Sequence, residues 1–373
     1  MKKLLSMKKN FSLMLVLAVM LSMTACGSNL ETTIDSSNDS GHNVSGEEES
    51  NVGDEVSSIQ DENLNDPETV IVTGRDSAGE PIEVTVPYKP ERVVVLDLAN
   101  LDILDNLGLG DCIVGVPTIT LPYLQSYNDE LSIVGSVKTP DLEAVMACEP
   151  DLILMGGRMA EYIDSLGEIA PVLRLTTVSD DGLVEAIRAN AKTVGTIFGK
   201  TEQVDELLAQ YDARIETLAK FAEGKNCVLG MSTSGSFNLL GNDGRCSLIV
   251  NEVGFDNIGA ASAATGSDSS SDGSTESTGT TPTHGNEVSF ETIVALNPDY
   301  IFVMDRDSAI SATGAQLAQE IMENELIMKT DAYQNGNMVI LENPGIWYLA
   351  EGGITSLGIM LDDLESALDV SAQ

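Results

Sequence analysis

The chain has 373 residues, and its 59 Asp and Glu against 19 Lys and Arg set a formal charge of −40. That balance makes it a poor general partner for nucleic acid or an anionic membrane surface. Two histidines, His42 and His284, are too few for a multi-histidine metal site. An apolar share of 42% is enough to build a core, and the length points to about two domains or lobes.

The N-terminus reads as an export signal. Lys2, Lys3, Lys8 and Lys9 form a positive segment, and Phe11 to Leu21 is an apolar stretch too short to span a membrane comfortably. Met23-Thr24-Ala25-Cys26 resembles the bacterial lipobox, which implies cleavage after Ala25 and a diacylglyceryl thioether on Cys26. An ordinary signal peptide that happens to contain a cysteine is the plainer alternative. Removing residues 1–26 takes away four lysines and no acid, so the mature charge becomes −44. Residues 27–68 are rich in Ser, Asn, Asp and Glu and include Glu47-Glu48-Glu49. Such a segment cannot bury enough surface to offset chain entropy, and it reads as a disordered acidic tether. His42 lies in it as a solvated side chain. Cys112, Cys148, Cys227 and Cys246 show no CxxC spacing, so a zinc ribbon is not indicated. Buried free thiols are favoured over pairing.

From Thr69 the pattern becomes that of a fold. Thr69-Val70-Ile71-Val72 and Ile82 to Val86 predict two strands around Ser77-Ala78-Gly79. Arg92 to Leu96 predicts a buried strand, Ala99 to Leu107 a helix ended by Gly108, and Ile113 to Val116 another strand. The alternation is that of an α/β layer architecture. An internal repeat then appears. Pro140 to Arg158 is echoed by Val288 to Arg306, with every matched position 148 residues on, as from Glu143 to Glu291 and from Arg158 to Arg306. Each copy reads as a helix, a Pro-Asp turn, a buried strand and an arginine just past the strand's end. Proline stops the helix and cannot sit inside the central strand that follows. The offset is too large for a solenoid and indicates two similar lobes.

Between the copies, Gly182 to Phe198 has helical spacing broken at Gly199. Thr201 to Ala222 follows with Val204, Leu207, Leu208, Tyr211, Ile215 and Leu218 on one face, Thr201 as its expected N-cap and Gly224 as its stop. At 1.5 Å per residue this helix spans roughly 33 Å, long enough to brace two lobes. The alternative is a surface helix of one lobe. The expected division is 69–199 for the N-terminal α/β lobe, 200–223 for the inter-lobe helix and 224–373 for the C-terminal lobe. Residues 260–283, mostly Ser, Thr, Gly, Ala and Asp, read as a low-complexity insertion.

At this point the chain resembles the class III solute-binding proteins of ABC importers, and within them the iron–siderophore group of catecholate and petrobactin type. The strings that carry the resemblance are Arg92-Val93-Val94-Val95, Pro150-Asp151-Leu152-Ile153, Thr283-His284-Gly285, Asn297 to Arg306 and Trp347-Tyr348-Leu349. It covers about residues 69 to 368 without the insertion. It implies a fold of two Rossmann-like lobes joined by a long connecting helix. It also implies a lipid-anchored, extracytoplasmic, monomeric binding protein that captures an anionic ferric siderophore and delivers it to ABC permease subunits. The siderophore is the transported ligand, with no permanently bound cofactor and no bond made or broken.

A ferric catecholate is an anion, and long-range repulsion from a −44 chain must be overcome locally. Screening removes much of it beyond about 8 Å at physiological salt. One opposite charge at 4 Å is worth about 4 kcal/mol at an effective dielectric near 20. Arginine suits this task, because it stays charged and its planar fork matches oxyanions. Arg158 follows Gly156-Gly157, Arg245 closes Gly241-Asn242-Asp243-Gly244, and Arg306 stands between Asp305 and Asp307. All three fall where the resembling family carries anion-binding arginines. A surface ion pair is the alternative, above all for Arg306 with its two aspartate neighbours. The resemblance also implies that His284 and Tyr348 take iron positions left open by a four-donor ligand, and that Glu143 and Glu291 meet the permease. A carboxylate in a helix's first turn also has a purely local reason to be there. Trp347, the sole tryptophan, flanks the pocket or packs the core.

Other readings are weaker. Gly108-Leu109-Gly110 lacks the third glycine of a dinucleotide fingerprint and follows a helix instead of a strand. Gly199-Lys200-Thr201 lacks the preceding glycine of a phosphate loop, and a hydrolase would have only His284 as base. The same fold with a hydroxamate siderophore, haem or cobalamin is the first alternative, although three arginines argue against a neutral corrinoid. A lipid-anchored enzyme and a surface adhesin follow.

Overall fold

The computed structural model describes residues 66–177, 182–263 and 286–370. Cys26, the tether up to residue 65, His42, His284 and residues 264–283 of the expected insertion lie outside them. The chain opens with a hairpin of β1 (Thr69–Arg75) and β2 (Pro81–Pro87), antiparallel around a turn closed by the Asp76 side chain, as the sequence predicts. A parallel sheet follows, built from β3 (Val93–Val95), β4 (Ile113–Val116), β5 (Ser132–Ile133), β6 (Leu152–Met155) and β7 (Val172–Arg174), in the order β5-β4-β3-β6-β7. A second sheet contains β8 (Asn226–Thr233), β9 (Ser236–Leu239), β10 (Asp256–Asn257), β11 (Asn286–Glu287), β12 (Tyr300–Asp305) and β13 (Met338–Ile340). Its order is β11-β9-β8-β12-β13, with β10 also pairing to β8.

Alternation along the strands decides where each side chain goes. Val93 and Val95 of β3 and Leu152 and Leu154 of β6 enter one core, whereas Val94, Ile153 and Met155 enter a second core on the opposite face. In the other sheet Cys227, Leu229 and Met231 of β8 and Phe302 and Met304 of β12 enter that same first core. Val228, Ile301 and Val303 face a third. Both sheets therefore turn one face to a shared apolar interior and cover the other separately.

The repeat has a structural cause at each position. Helices Leu142–Ala147 and Phe290–Leu296 each end near a left-handed residue, Glu149 at φ 46° and Asn297 at φ 43°. These two are the equivalent positions of the repeat. The Pro-Asp turn follows, and its aspartate clamps the start of the neighbouring strand. Asp151 accepts from Glu91 N at 2.8 Å and Arg92 N at 3.0 Å, and Asp299 accepts from Asn226 N at 3.0 Å. The carboxylates satisfy backbone donors that precede the ladders.

Helices Leu183–Phe198 and Thr201–Ala222 follow one another with only Gly199 and Lys200 between them. Gly199 is left-handed at φ 67°, and Lys200 N donates back to Gly195 O at 2.7 Å. Lys200 thus holds the N-cap position and makes no side-chain cap, while Thr201 is already helical. This corrects the expected Thr201 cap: so short a connection spends the capping backbone on closing the preceding helix. Gly224, at φ 73°, lies just past the helix end as expected. The long helix packs against Leu183–Phe198 and against the last helix, Ile354–Ala367, where Arg214 bonds Glu365 at 2.8 Å. The stretch read as insertion from residue 260 opens instead with a helical turn, Ala260–Ala263, whose Ala263 is buried. Among the described residues no helix is long and apolar enough to cross a membrane.

Cys112, Cys148, Cys227 and Cys246 are free. Burial pushes the Cys227 thiol up to about 12 and that of Cys112 up to about 11. Thiols so placed are poor nucleophiles at neutral pH.

Helix Leu183–Phe198 starts at Gly182, which has φ 97° and no side chain to cap with. Glu252, from a distant part of the chain, takes the role: its Oε1 accepts from Val184 N at 3.0 Å. A Cβ on Gly182 would stand 2.6 Å from that oxygen, so the bare residue is what admits the carboxylate. Glu252→Ala is expected to cost about 1 kcal/mol, the ordinary worth of a lost N-cap. Glu252→Gln, which keeps an acceptor, is expected to cost less than half of that. Thermal unfolding of the two variants beside the parent checks the order.

Candidate anion-binding site

In a doubly wound sheet a crevice opens beyond the carboxyl ends of the strands where their order reverses. In the first sheet that point lies between β3 and β6. β3 leads to Asp97, which caps helix Leu98–Asn106 by accepting from Ala99 N and Asn100 N, both at 3.0 Å. β6 leads through Gly156 and Gly157 to Arg158. A Cβ on Gly156 would stand 2.2 Å from Asp97 Oδ2, so glycine is required for the chain to pass the carboxyl and present the arginine.

The second sheet delivers its arginines by different means. Arg306 is the first residue of helix Arg306–Ala309, directly after β12. Asp305 turns inward, accepting from Ser308 N at 3.0 Å and Ala318 N at 2.9 Å, and so does not pair with it. Asp307 accepts from Ser234 N at 2.7 Å and lies 3.5 Å from Arg306 Nη1. Part of the ion-pair alternative for Arg306 is therefore present, while its Nε points elsewhere. Arg245 comes from the loop after β9.

The three guanidiniums meet at Tyr348, on helix Pro344–Leu349. The Tyr348 carbonyl accepts from Arg158 Nη2 at 2.5 Å and from Arg245 Nη1 at 2.7 Å. Its hydroxyl lies 3.1 Å from Arg306 Nε, which donates to it. The guanidinium carbons stand 5.7, 4.2 and 5.6 Å from the ring centre for Arg158, Arg245 and Arg306. Carbonyls of a helix's last turn lack intrahelical partners and carry partial negative charge, so this one suits two cations. Each ring contact adds a cation–π attraction.

Two carboxylates stand behind the arginines. Burial raises the Asp97 and Glu351 carboxyls above the usual range, and the charges of Arg158 and Arg245 pull both back. Burial and the neighbouring Arg245 lower Arg158, while Asp97, Tyr348 and Glu351 hold it up. Arg245 Nε and Glu351 Oε2 are buried without hydrogen-bond partners. With Asp307 beside Arg306, three cations face three carboxylates, and burial disfavours the charge on two of these, Asp97 and Glu351. Buried guanidiniums clustered at one tyrosine make this a candidate site for an anion.

The structure thus brings together Arg158, Arg245, Arg306 and Tyr348. Trp347 does not join them: it is fully buried in the shared core, its indole N–H donating to Asp363 Oδ2 at 2.8 Å. Tyr348 is only 2% exposed, so direct contact between its oxygen and a metal requires the arginines to part. Glu143 and Glu291 are exposed in the first turns of their equivalent helices. Asp97 and Glu351 were not singled out by the sequence reading. The available signals were the position of Asp97 at a strand's carboxyl end and that of Glu351 three residues past Tyr348. The described residues contain no group of three or more His, Cys, Asp or Glu able to hold a metal ion. A shallow groove lined by Val184, Arg188, Asp212, Ile215 and Glu252 shares no residue with the arginine cluster.

Residues 93–344 match the family described as periplasmic binding protein. Petrobactin-binding protein YclQ of Bacillus subtilis strain 168 is 35% identical over 288 residues, 76% of this chain and 84% of the relative. Its crystal structure superposes with a TM-score of 0.69 at 32% identity, over 80% of this chain and 99% of that one. Ferric-anguibactin-binding protein FatB of Vibrio anguillarum is 28% identical over 290 residues, 76% of this chain and 84% of the relative. The catecholate-siderophore binding protein VctP of Vibrio cholerae superposes at TM-score 0.68 and 28% identity, over 80% of this chain and all of that one. The chain belongs to the periplasmic binding protein family, with the class III fold of two Rossmann-like lobes. It is a binding protein and not an enzyme.

Proposed function

We propose that the chain captures an anionic ferric siderophore of catecholate type outside the membrane and hands it to an ABC permease for iron uptake. The observation that carries this reading is the convergence of Arg158, Arg245 and Arg306 on Tyr348. Three guanidiniums from separate segments offer planar donor forks to the oxygens of a multiply charged complex. The names of YclQ, FatB and VctP point the same way. The lobes, taken as 69–199 and 224–373 about the 200–223 helix, supply Arg158 from one side and Arg245 and Arg306 from the other. A ligand that engages both sets draws the lobes together. Tyr348 and His284 are the side chains proposed to reach iron positions left open by a four-donor ligand. Glu143 and Glu291 are proposed to meet the permease, one from each lobe, and a lipid on Cys26 to hold the protein at the membrane as a monomer.

The test is a titration of the chain from Gly27 onward, which contains every described residue, followed by Trp347 fluorescence. Trp347 is next in the chain to Tyr348 and is the sole tryptophan. Saturable quenching by a ferric bis-catecholate, with none by a ferric hydroxamate or cobalamin, is expected. Saturation by the hydroxamate or cobalamin alone would replace the cargo assignment.

A further inference from the structure

We infer that Asp363 is a positioning residue for the binding site: it sets the orientation of Tyr348 and, through Tyr348, that of the three arginines. This rests on the proposed siderophore reading for its affinity readout. Helix Pro344–Leu349 has six residues, too few to fix its own orientation. Its N-cap residue, Asn343, makes no side-chain cap. The fixing comes from outside. Asp363, on helix Ile354–Ala367 and 4% exposed, accepts from Asn343 N at 3.1 Å, Asn343 Nδ2 at 2.6 Å and Trp347 Nε1 at 2.8 Å. Asn343 and Trp347 are four residues apart, about one helical turn. One carboxylate that holds both ends of a turn fixes the helix in rotation and in axial position. Tyr348 comes next, about 100° further round the helix, so it leaves the Asp363 side and meets the guanidiniums.

The helix that carries Asp363 is itself held to distant elements. At its start Thr355 N and Ser356 N donate to Asp102 at 2.9 and 3.0 Å, and near its end Arg214 bonds Asp362 at 2.5 Å and Glu365 at 2.8 Å. Asp363 therefore ties Tyr348 to a frame anchored on both the helix beside the first sheet and the long helix. Burying a carboxylate beside an indole has a desolvation cost that a well-packed apolar side chain would not incur. Orientation of the adjacent tyrosine gives the carboxylate a function.

A double-mutant cycle in the chain from Gly27 onward tests this, with ferric bis-catecholate binding followed by isothermal titration. Asp363→Asn is expected to weaken binding at least fivefold in the parent and by clearly less in a Tyr348→Ala background, which lacks the ring contacts to the three guanidiniums and the hydroxyl bond to Arg306 but keeps the Tyr348 carbonyl. Additive effects, or unchanged affinity in Asp363→Asn, would overturn the inference. A ligand-free readout accompanies it. The Nε–H NMR signals of Arg158, Arg245 and Arg306, shifted by the Tyr348 ring, are expected to move in Asp363→Asn toward their Tyr348→Ala positions. If the parent binds no ferric catecholate, the catecholate reading fails and these signals decide alone, unmoved signals overturning the positioning role. Should Asp363→Asn not fold, Trp347→Phe, which removes one donor and keeps an aromatic ring in place, carries the same cycle.

Discussion

Replacing Arg158 or Arg245 by alanine is expected to lower affinity for a ferric bis-catecholate by ten- to a hundredfold each. A hydrogen bond to a charged group is worth about 1.5–3 kcal/mol, and every 1.4 kcal/mol is tenfold in the dissociation constant. Arg306→Ala is expected to lose less, because Asp307 and Thr233 already engage part of its guanidinium. The thermal midpoint is expected to respond quite differently. In the ligand-free protein Arg158 suffers from burial and from the like charge of Arg245, and both lower its pKa. Deleting it removes that repulsion along with the bond to the Tyr348 carbonyl and the charge facing Asp97 and Glu351, so these opposed effects should leave stability changed by less than the affinity. Arg245→Lys should recover only part of the affinity, because an ammonium cannot reproduce the planar fork. Binding isotherms and melting curves on the same preparations check both halves. A large stability loss with unchanged affinity would return Arg158 to the role of a structural ion.

The largest stability effect is expected at Asp102, on helix Leu98–Asn106, which has no exposed surface. Its carboxyl accepts from Tyr123 Oη at 2.6 Å, Asn106 Nδ2 at 2.7 Å, Ser356 Oγ at 2.8 Å, Thr355 N at 2.9 Å and Ser356 N at 3.0 Å. Two of these donors are amides in the first turn of helix Ile354–Ala367, whose N-cap, Gly353, makes no side-chain cap. A Cβ on Gly353 would stand 2.3 Å from Asp102 Oδ2, so glycine again makes room for a carboxylate from elsewhere. Asp102→Ala strands several buried donors at once, each costing about 1–3 kcal/mol, and a total loss of about 3–5 kcal/mol is expected. At roughly 2 °C per kcal/mol for a chain of this size, the midpoint should fall by about 6–10 °C. Asp102→Asn, which keeps the shape and one acceptor oxygen, should lose about half as much. Denaturant or thermal unfolding decides it, and a loss under about 1 kcal/mol for the alanine variant would show that water replaces the network.

Much of the fold was legible because local patterns agreed with it. The alternation of Val93, Val94 and Val95 needs nothing but burial on both faces. The Pro-Asp turns carry their own stop signal, and the 148-residue offset puts Arg158 and Arg306 at equivalent strand ends. The arginines stood out as candidates because Arg158 and Arg306 follow strand ends and Arg245 closes a glycine-rich turn. The Thr201 cap was misread because Gly199 and Lys200 close one helix as they open the next, a property of the pair and not of either helix. Asp97 and Glu351 were passed over because a carboxylate looks alike whether it is solvated or stands behind a guanidinium. In a chain with 59 acids, single carboxylates carry almost no signal.

The sequence was enough to establish the α/β class and the duplicated strand-end arginines, because each depends on residues close together or on a repeat that marks itself. The meeting of three arginines at one tyrosine was a matter of tertiary structure, as were the capping of glycine-led helices by Glu252 and Asp102 and the hold of Asp363 on Asn343 and Trp347. These contacts join positions from 16 to 254 residues apart. Charge and hydrogen bonding act through distance in space, and a chain's order does not contain that distance until the cores have packed.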